Sequence, residues 1–194
     1  VVFDQAPFIQ ESIVALAEEG LLGLIFAIGV ILLFLRAVRP TVVTAISIPL
    51  SLLMAFVGML VSGYTLNMLT LAALTISIGR VVDDSIVVIE NIMRHLSYGT
   101  PRLRAITDAV REVAGAITAS PLATVIVFLP VAVVSGMAGE LFRPFSLTVA
   151  IAMLSSLIVA LTIVPVLAYW FLRPPKAVRD LDPDDEQAVA AVAE

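Results

Sequence analysis

A chain of 194 residues that is 60% apolar, 14% charged and has a mean hydropathy of +1.09 is too apolar for an ordinary water-soluble domain, so an integral membrane protein is expected. The net charge of −5 says little about the body of the chain, because Asp180, Asp182, Asp184, Asp185, Glu186 and Glu194 all fall in its last fifteen residues. The absence of cysteine excludes disulfides and thiolate metal sites, and nucleic acid is not an expected partner.

The chain opens on VVFDQAPF, without methionine, and its first apolar run follows acidic Glu18 and Glu19 rather than a basic region. No signal peptide is expected there, and the chain is taken as an internal piece of something larger. Residues 1–19 form an extracytoplasmic lead-in with an amphipathic start, and uncharged residues 20–35 form the first span. Pro40 to Gly79 is an uncharged run of forty residues, enough for two helices of about 20 residues each. The turn signal SGYTLN divides it into spans at 41–61 and 67–92. SYGTPRLRAITDAVREVAG predicts a cytoplasmic surface helix over 100–112, followed by spans at 113–136 and 144–172 separated by ELFRP. The acidic, alanine-rich end, 177–194, has no apolar face large enough to pack alone and is expected to be a disordered cytoplasmic tail. The expected fold is therefore an all-α, polytopic transmembrane helix bundle of five spans, with Pro49, Pro121, Pro130 and Pro165 inside apolar runs as sites of kinking.

Nine of the eleven basic residues flank the spans on one side: Arg36 and Arg39, then Arg94, Arg102, Arg104 and Arg111, then Arg173, Lys176 and Arg179. The positive-inside rule makes that side cytoplasmic, with the C-terminus, in a cytoplasmic or inner membrane.

The third span carries GRVVDDSIVVIEN, Gly79 to Asn91. At about 100° per residue, with Arg80 as zero, Ser77 lies at about +60°, Asp83 at about −60°, Asp84 at about +40°, Glu90 at about −80° and Asn91 at about +20°. All fall within an arc of roughly 140°, opposite Ile78, Val82 and Ile89. Asp84 precedes Arg94 by ten residues, about 15 Å, which is half of a hydrocarbon layer about 30 Å thick. Arg80, Asp83 and Asp84 would each cost about 2.5–3.5 kcal/mol there, so helical partners or water must meet them. Two adjacent carboxylates repel in low dielectric and titrate as a coupled unit. Two readings stay open from the chemistry: a proton relay at Asp83 and Asp84, with Arg80 as charge partner, or a buried Arg80–Asp84 pair that pins helices together. One cation against two anions favours the relay, because the surplus carboxylate must be protonated or paired elsewhere. Ser77, Glu90 and Asn91 are weaker members of the polar face, and His95 in its polar loop is expected to be solvated. Small residues Ala72, Ala73, Ser77, Gly79 and Ser85 suggest close helix approach.

No enzyme activity is expected. An intramembrane aspartyl protease needs carboxyls from two helices, whereas adjacent residues on one helix point about 100° apart. A metal transporter lacks histidine, cysteine or methionine beside the aspartates, and a non-transporting structural membrane fragment is the remaining alternative.

GRVVDDSIVVIENI resembles the paired-aspartate motif of the resistance-nodulation-division (RND) superfamily of proton-driven exporters, in its hydrophobe/amphiphile efflux branch. FDQAPFIQESI, FLRAVRPTVVTAISIPLSLL and VIVFLPVAVVSGMAGELFRPFSLT resemble further stretches of that family in the same order, over about residues 3–176. The resemblance implies helices two to six of the first half of a twelve-helix domain, with the remaining half, including a lysine partner, outside this chain. It implies export of drugs, lipids or other amphiphiles driven by the proton motive force, with no other cofactor, and protons bound at Asp83 and Asp84. The implied partners are membrane lipid, a homotrimer in the parent protein and, only in a Gram-negative envelope, a periplasmic adaptor and outer-membrane channel. Arginine at position 80 resembles the Gram-positive variant of the motif.

Overall fold

The computed structural model describes residues 6–35 and 38–172. The expected tail at 177–194, the first five residues of the lead-in, and Arg36, Arg173, Lys176 and Arg179 lie outside the described residues. The described residues form six helices and a short π-helical turn: α1 (Ala6–Leu35), α2 (Val38–Val61), α3 (Met68–Leu96), α4 (Arg102–Val133), α5 (Met137–Ile158), a π turn (Val159–Ile163) and α6 (Val164–Phe171). Among the described residues three helical rods are long and apolar enough to cross a membrane: Val38–Val61, Arg102–Val133 and Met137–Phe171. Large apolar side chains face outward along them, as Leu60 (77% exposed), Val127 (70%) and Trp170 (71%) do, a surface suited to lipid rather than water. The molecule is an all-α membrane helix bundle.

α3 is the central helix, packed against α1, α2, α4 and α5. Its start is fixed by a reciprocal cap: the Asn67 carboxamide oxygen accepts from the N–H groups of Leu69 and Thr70, and the Asn67 N–H donates to Thr70 Oγ1 at 2.8 Å. One apolar cluster gathers Val43, Val88, Ile92, Leu96, Ile106 and Val159 towards the end of α3 that carries Arg94, hereafter the basic end. A second gathers Leu16, Ala55, Met59, Leu71, Leu74 and Ile78 towards the other end. α2 buries a stripe of small hydroxyl residues, Thr44, Ser47 and Ser51, each of which donates back to a carbonyl of its own helix and so needs no outside partner.

Three sequence boundaries differ from the structure, the first at α3, which runs past 92 to Leu96 and so takes His95 into its last turn instead of a loop. Residues 102–133 form one unbroken helix, where the sequence divides a surface helix (100–112) from a span (113–136); the charge pattern changes at Glu112, but no proline interrupts the backbone there. At 32 residues α4 is about 48 Å long, so its first turns extend past a hydrocarbon layer about 30 Å thick. α5 starts at Met137, not 144, and ELFRP is helical. Gly136, at φ 87°, makes the reversal from α4, and the Arg143 Nε–H closes it by donating to the Ala132 carbonyl at 2.9 Å. The π turn comes just before Pro165, whose missing N–H leaves a carbonyl without its α-helical donor; the Val164 N–H there reaches back to the Val159 carbonyl.

α2 and α5 pack tightly at Gly58, where an added Cβ would stand 2.6 Å from Ile151 Cγ2. Gly58→Ala is expected to lower the unfolding free energy in detergent by about 1–3 kcal/mol, the usual range for overpacking. Gly115→Ala, at a helical position with nothing within 4 Å, is expected to raise it by about 0.5–1 kcal/mol.

Candidate functional site on the central helix

The polar arc of α3 is cut in two by its neighbours. Ser77, Asp84 and Asn91, spaced by seven residues, turn inward and are buried, whereas Arg80, Asp83 and Glu90 lie on the edge that α1, α2, α4 and α5 leave open. That open edge continues through Met68, Ala72, Ile76, Val87 and Arg94, a strip along the whole helix at three- and four-residue steps. Ile78, Val82 and Ile89 are buried on the opposite side, Ile78 within 3.8 Å of the positions that a Cβ on Gly20 or Gly23 of α1 would occupy. Of the small residues, Ala73, Ser77 and Ser85 are buried at helix contacts, while Ala72 and Gly79 sit on the open strip.

Asp84 is 8% exposed, and its Oδ2 accepts a hydrogen bond from Ser156 Oγ on α5 at 2.7 Å. Ser156 is itself fully buried, three residues before the π turn. Ser77 Oγ donates to the Ala73 carbonyl of its own helix at 2.7 Å, so it is satisfied without touching the aspartates. Asp83 forms no hydrogen bond or ion pair with the described residues. Arg80 does not pair with either aspartate in this arrangement: its Nη2 donates to Ser120 Oγ on α4. In place of the alternative Arg80–Asp84 pair stand two separate links, Asp84 to α5 and Arg80 to α4. Arg80 extends along the open edge to α4, while the Asp84 carboxyl is turned into the core, where it accepts from Ser156.

At the basic end, the Asn91 Nδ2–H donates to the Ala109 carbonyl at 2.8 Å and to Glu112 Oε2 at 3.3 Å. Arg94 donates to Asn91 Oδ1 and to Glu112 Oε1, the latter at 2.6 Å. His95 Nε2 lies 2.7 Å from Glu112 Oε2, and the ring is 18% exposed, so it is held in this network instead of being solvated as expected. Arg94 and Glu112 are about half exposed, and such an ion pair contributes about 0–1 kcal/mol. The network serves chiefly to fix the α3–α4 register.

Ser156, Ser120 and the Glu112 network are the residues that sequence reasoning missed. A signal for two of them exists: in an antiparallel hairpin turning near residue 100, Arg80 and Ser120 stand twenty positions either side of the turn, and Asn91 and Ala109 nine. No such rule finds Ser156, which belongs to a non-adjacent helix.

The sequence profile of the AcrB/AcrD/AcrF family matches residues 1–182. The chain belongs to the AcrB/AcrD/AcrF family. It is 46% identical over 169 residues to the swarming motility protein SwrC of Bacillus subtilis (strain 168), which covers 86% of this chain and 16% of SwrC. It is 40% identical over 173 residues to the multidrug resistance protein MdtC of Escherichia coli (strain K12), covering 89% of this chain and 17% of MdtC. The chain therefore spans about one sixth of the length of these curated relatives. AcrB/AcrD/AcrF proteins are RND transporters, not enzymes.

Removing the donor to Asp84 leaves a buried acceptor unmet. Ser156→Ala is expected to lower the unfolding free energy in mixed micelles by about 0.6–1.7 kcal/mol, the range for hydrogen bonds between membrane helices. Asp84→Asn keeps an acceptor for Ser156 and removes a buried charge, so its unfolding free energy is expected to equal or exceed that of the unaltered chain.

Proposed function

We propose that the chain is part of a proton-driven secondary transporter that exports drugs or other amphiphiles, with Asp83 and Asp84 as its intramembrane proton relay. The observation that carries this reading is the position of the two carboxyls on α3: Asp84 buried against Ser156, and Asp83 beside it on the open strip. A proton would reach Asp83 from the side of α3 that this chain's own helices leave uncovered, where the helices of the remaining half would line its route. The neighbouring carboxyl then senses it through charge, because both sit about 15 Å from Arg94, where water does not dilute the interaction. A relay needs one group in communication with a proton source and one coupled to a helix that moves, and adjacent residues straddling a burial boundary supply both. Each proton crossing under a potential of ~100 mV would release about 2.3 kcal/mol.

The open strip is where the remaining half of the transporter would pack, covering Arg80, Asp83 and Glu90 with its own helices. The basic end would face the cytoplasm, since Arg94, Arg102, Arg104 and Arg111 cluster there, and the C-terminus would leave from that side of a cytoplasmic or inner membrane. Assembly as a homotrimer follows from the family reading, and an adaptor and outer-membrane channel would join only in a two-membrane envelope. The cargo class stays broad: one relative is named for multidrug resistance and another for swarming motility.

The test is to place Asp83→Asn and Asp84→Asn singly in the full-length transporter that carries this segment, and to measure substrate export together with proton flux in proteoliposomes. Each variant is expected to lose proton-coupled export while still inserting and assembling. Retained coupled export in both variants would refute the relay.

A further inference from the structure

Arg80 is the cation nearest the paired aspartates, yet it holds a neutral hydroxyl on another helix. Its chemistry allows two arrangements. A guanidinium carries five donors on a long, mobile side chain, and Asp83 lies three residues on along the same open edge, within ordinary side-chain reach. Asp83 has no partner among the described residues, whereas Asp84 already accepts from Ser156. An ionised Asp83 would compete strongly for Arg80, because a carboxylate adds opposite charge and can accept two parallel N–H bonds from a guanidinium, neither of which the neutral Ser120 hydroxyl offers. A protonated Asp83 would not.

The place where Arg80 grips α4 is itself unusual. Ser120 immediately precedes Pro121, which is buried and has no N–H to give to the carbonyl of Ile117, one turn earlier. α4 is thus held to α3 at the point where its own hydrogen-bond ladder is interrupted and bending is easiest. Towards the basic end, the bond from Asn91 to the Ala109 carbonyl ties the same two helices independently of Arg80.

We propose that Arg80 is a two-position tether, bound to Ser120 while the Asp83–Asp84 pair is protonated and drawn to Asp83 when the pair ionises, so that the pair's charge decides whether α4 is held to α3 at Pro121. This rests on the relay reading of the two aspartates, and it makes Arg80 a positioning residue that passes their charge state to α4. Few other charges compete. α4 carries none between Glu112 and Val133, and the α5–α6 rod none between Arg143 and Phe171. α1 has its acids before Gly20 and meets α3 on the Ile78 side, away from Arg80; Arg39 stands at the start of α2; and Glu90 is two turns further along α3. Asp83 and Asp84 are therefore the titrating groups that face Arg80.

Because the chain has no cysteine, single cysteines introduced at Ile76 on α3 and Val127 on α4, both exposed, can be spin-labelled uniquely. The separation between labels is then read by pulsed electron resonance in lipid nanodiscs, in acid and in alkaline buffer. The expected result is a separation that shifts with pH. That shift is lost in Arg80→Gln and in the milder Ser120→Ala, and it is lost in the Asp83→Asn/Asp84→Asn double variant, which stays at the acid separation. It returns in Arg80→Lys. A second label pair at Val87 and Leu103, across the end tied by Asn91, is expected to keep one separation throughout and so reports that the fold survives. A separation independent of pH in the otherwise unaltered chain, or a pH shift that survives in both Arg80→Gln and Ser120→Ala, overturns the tether. The relay falls only if the single asparagine variants still export with protons, so the two failures are distinguishable.

Discussion

A carboxylate buried in a membrane helix must be met by a donor or keep its proton, and the architecture of this segment turns on that constraint at Asp84. The donor is Ser156, brought to it by α5 across the core. Because only one side of α3 faces α5, the remaining polar residues cannot all be satisfied in the same way. Ser77 closes on its own backbone, Asn91 reaches the Ala109 carbonyl, and Arg80 crosses to Ser120. What is left, Asp83 and Glu90, lies on the strip of α3 that the other helices do not cover. The fold thus meets Ser77, Asp84 and Asn91 within this chain, while Asp83 and Glu90 stay open and the buried Ser85 hydroxyl of α3 has no hydrogen-bond partner among the described residues.

The packing elsewhere keeps α5 in place for that contact. Gly58 lets α2 approach Ile151 closely, and Ala152 at the same level is completely buried. Ser156 follows one turn later, and the π turn with Pro165 comes after it. A π turn has one extra residue per hydrogen bond, so it is a local departure from regular helix next to the aspartate's donor. Movement of the last part of the rod could therefore be accommodated without breaking the Gly58–Ile151 contact. On the other flank, α4 is fixed to α3 at the basic end and interrupted at Pro121. The central helix is bordered by two helices whose regular ladders are broken near the site.

Much of this is legible in the sequence. Uncharged runs and the turn signal SGYTLN locate the helices, and the period of about 3.6 residues gathers Ser77, Arg80, Asp83, Asp84, Glu90 and Asn91 on one arc of α3. The motif GRVVDDSIVVIENI carries the family resemblance, and the match to residues 1–182 supports it. The division of the arc is not legible, because a helical wheel gives directions but not which neighbour occupies each one. Ser156 is one of many small hydroxyl residues in apolar helices, and only the three-dimensional fold selects it. The setting of His95 is not legible either, because its partner, Glu112, lies seventeen residues away on the returning helix. Pro144 and the charges of ELFRP suggest a loop, although Gly136 makes the turn and Arg143 caps the Ala132 carbonyl, so α5 starts earlier than the sequence indicates.

The proposed transport requires the Asp83–Asp84 pair to exchange a proton inside the membrane. The most direct measurement is infrared spectroscopy of the chain in lipid bilayers, titrated with pH, following the carbonyl stretch of protonated carboxylic acid. The expected result is that one component of this band, growing on acidification, shifts in frequency in Ser156→Ala because its hydrogen bond is lost, and is missing from the Asp83→Asn/Asp84→Asn double variant, whose other carboxyls keep their own signal. A titration in which that double variant retains the whole of the protonated-acid signal would contradict it.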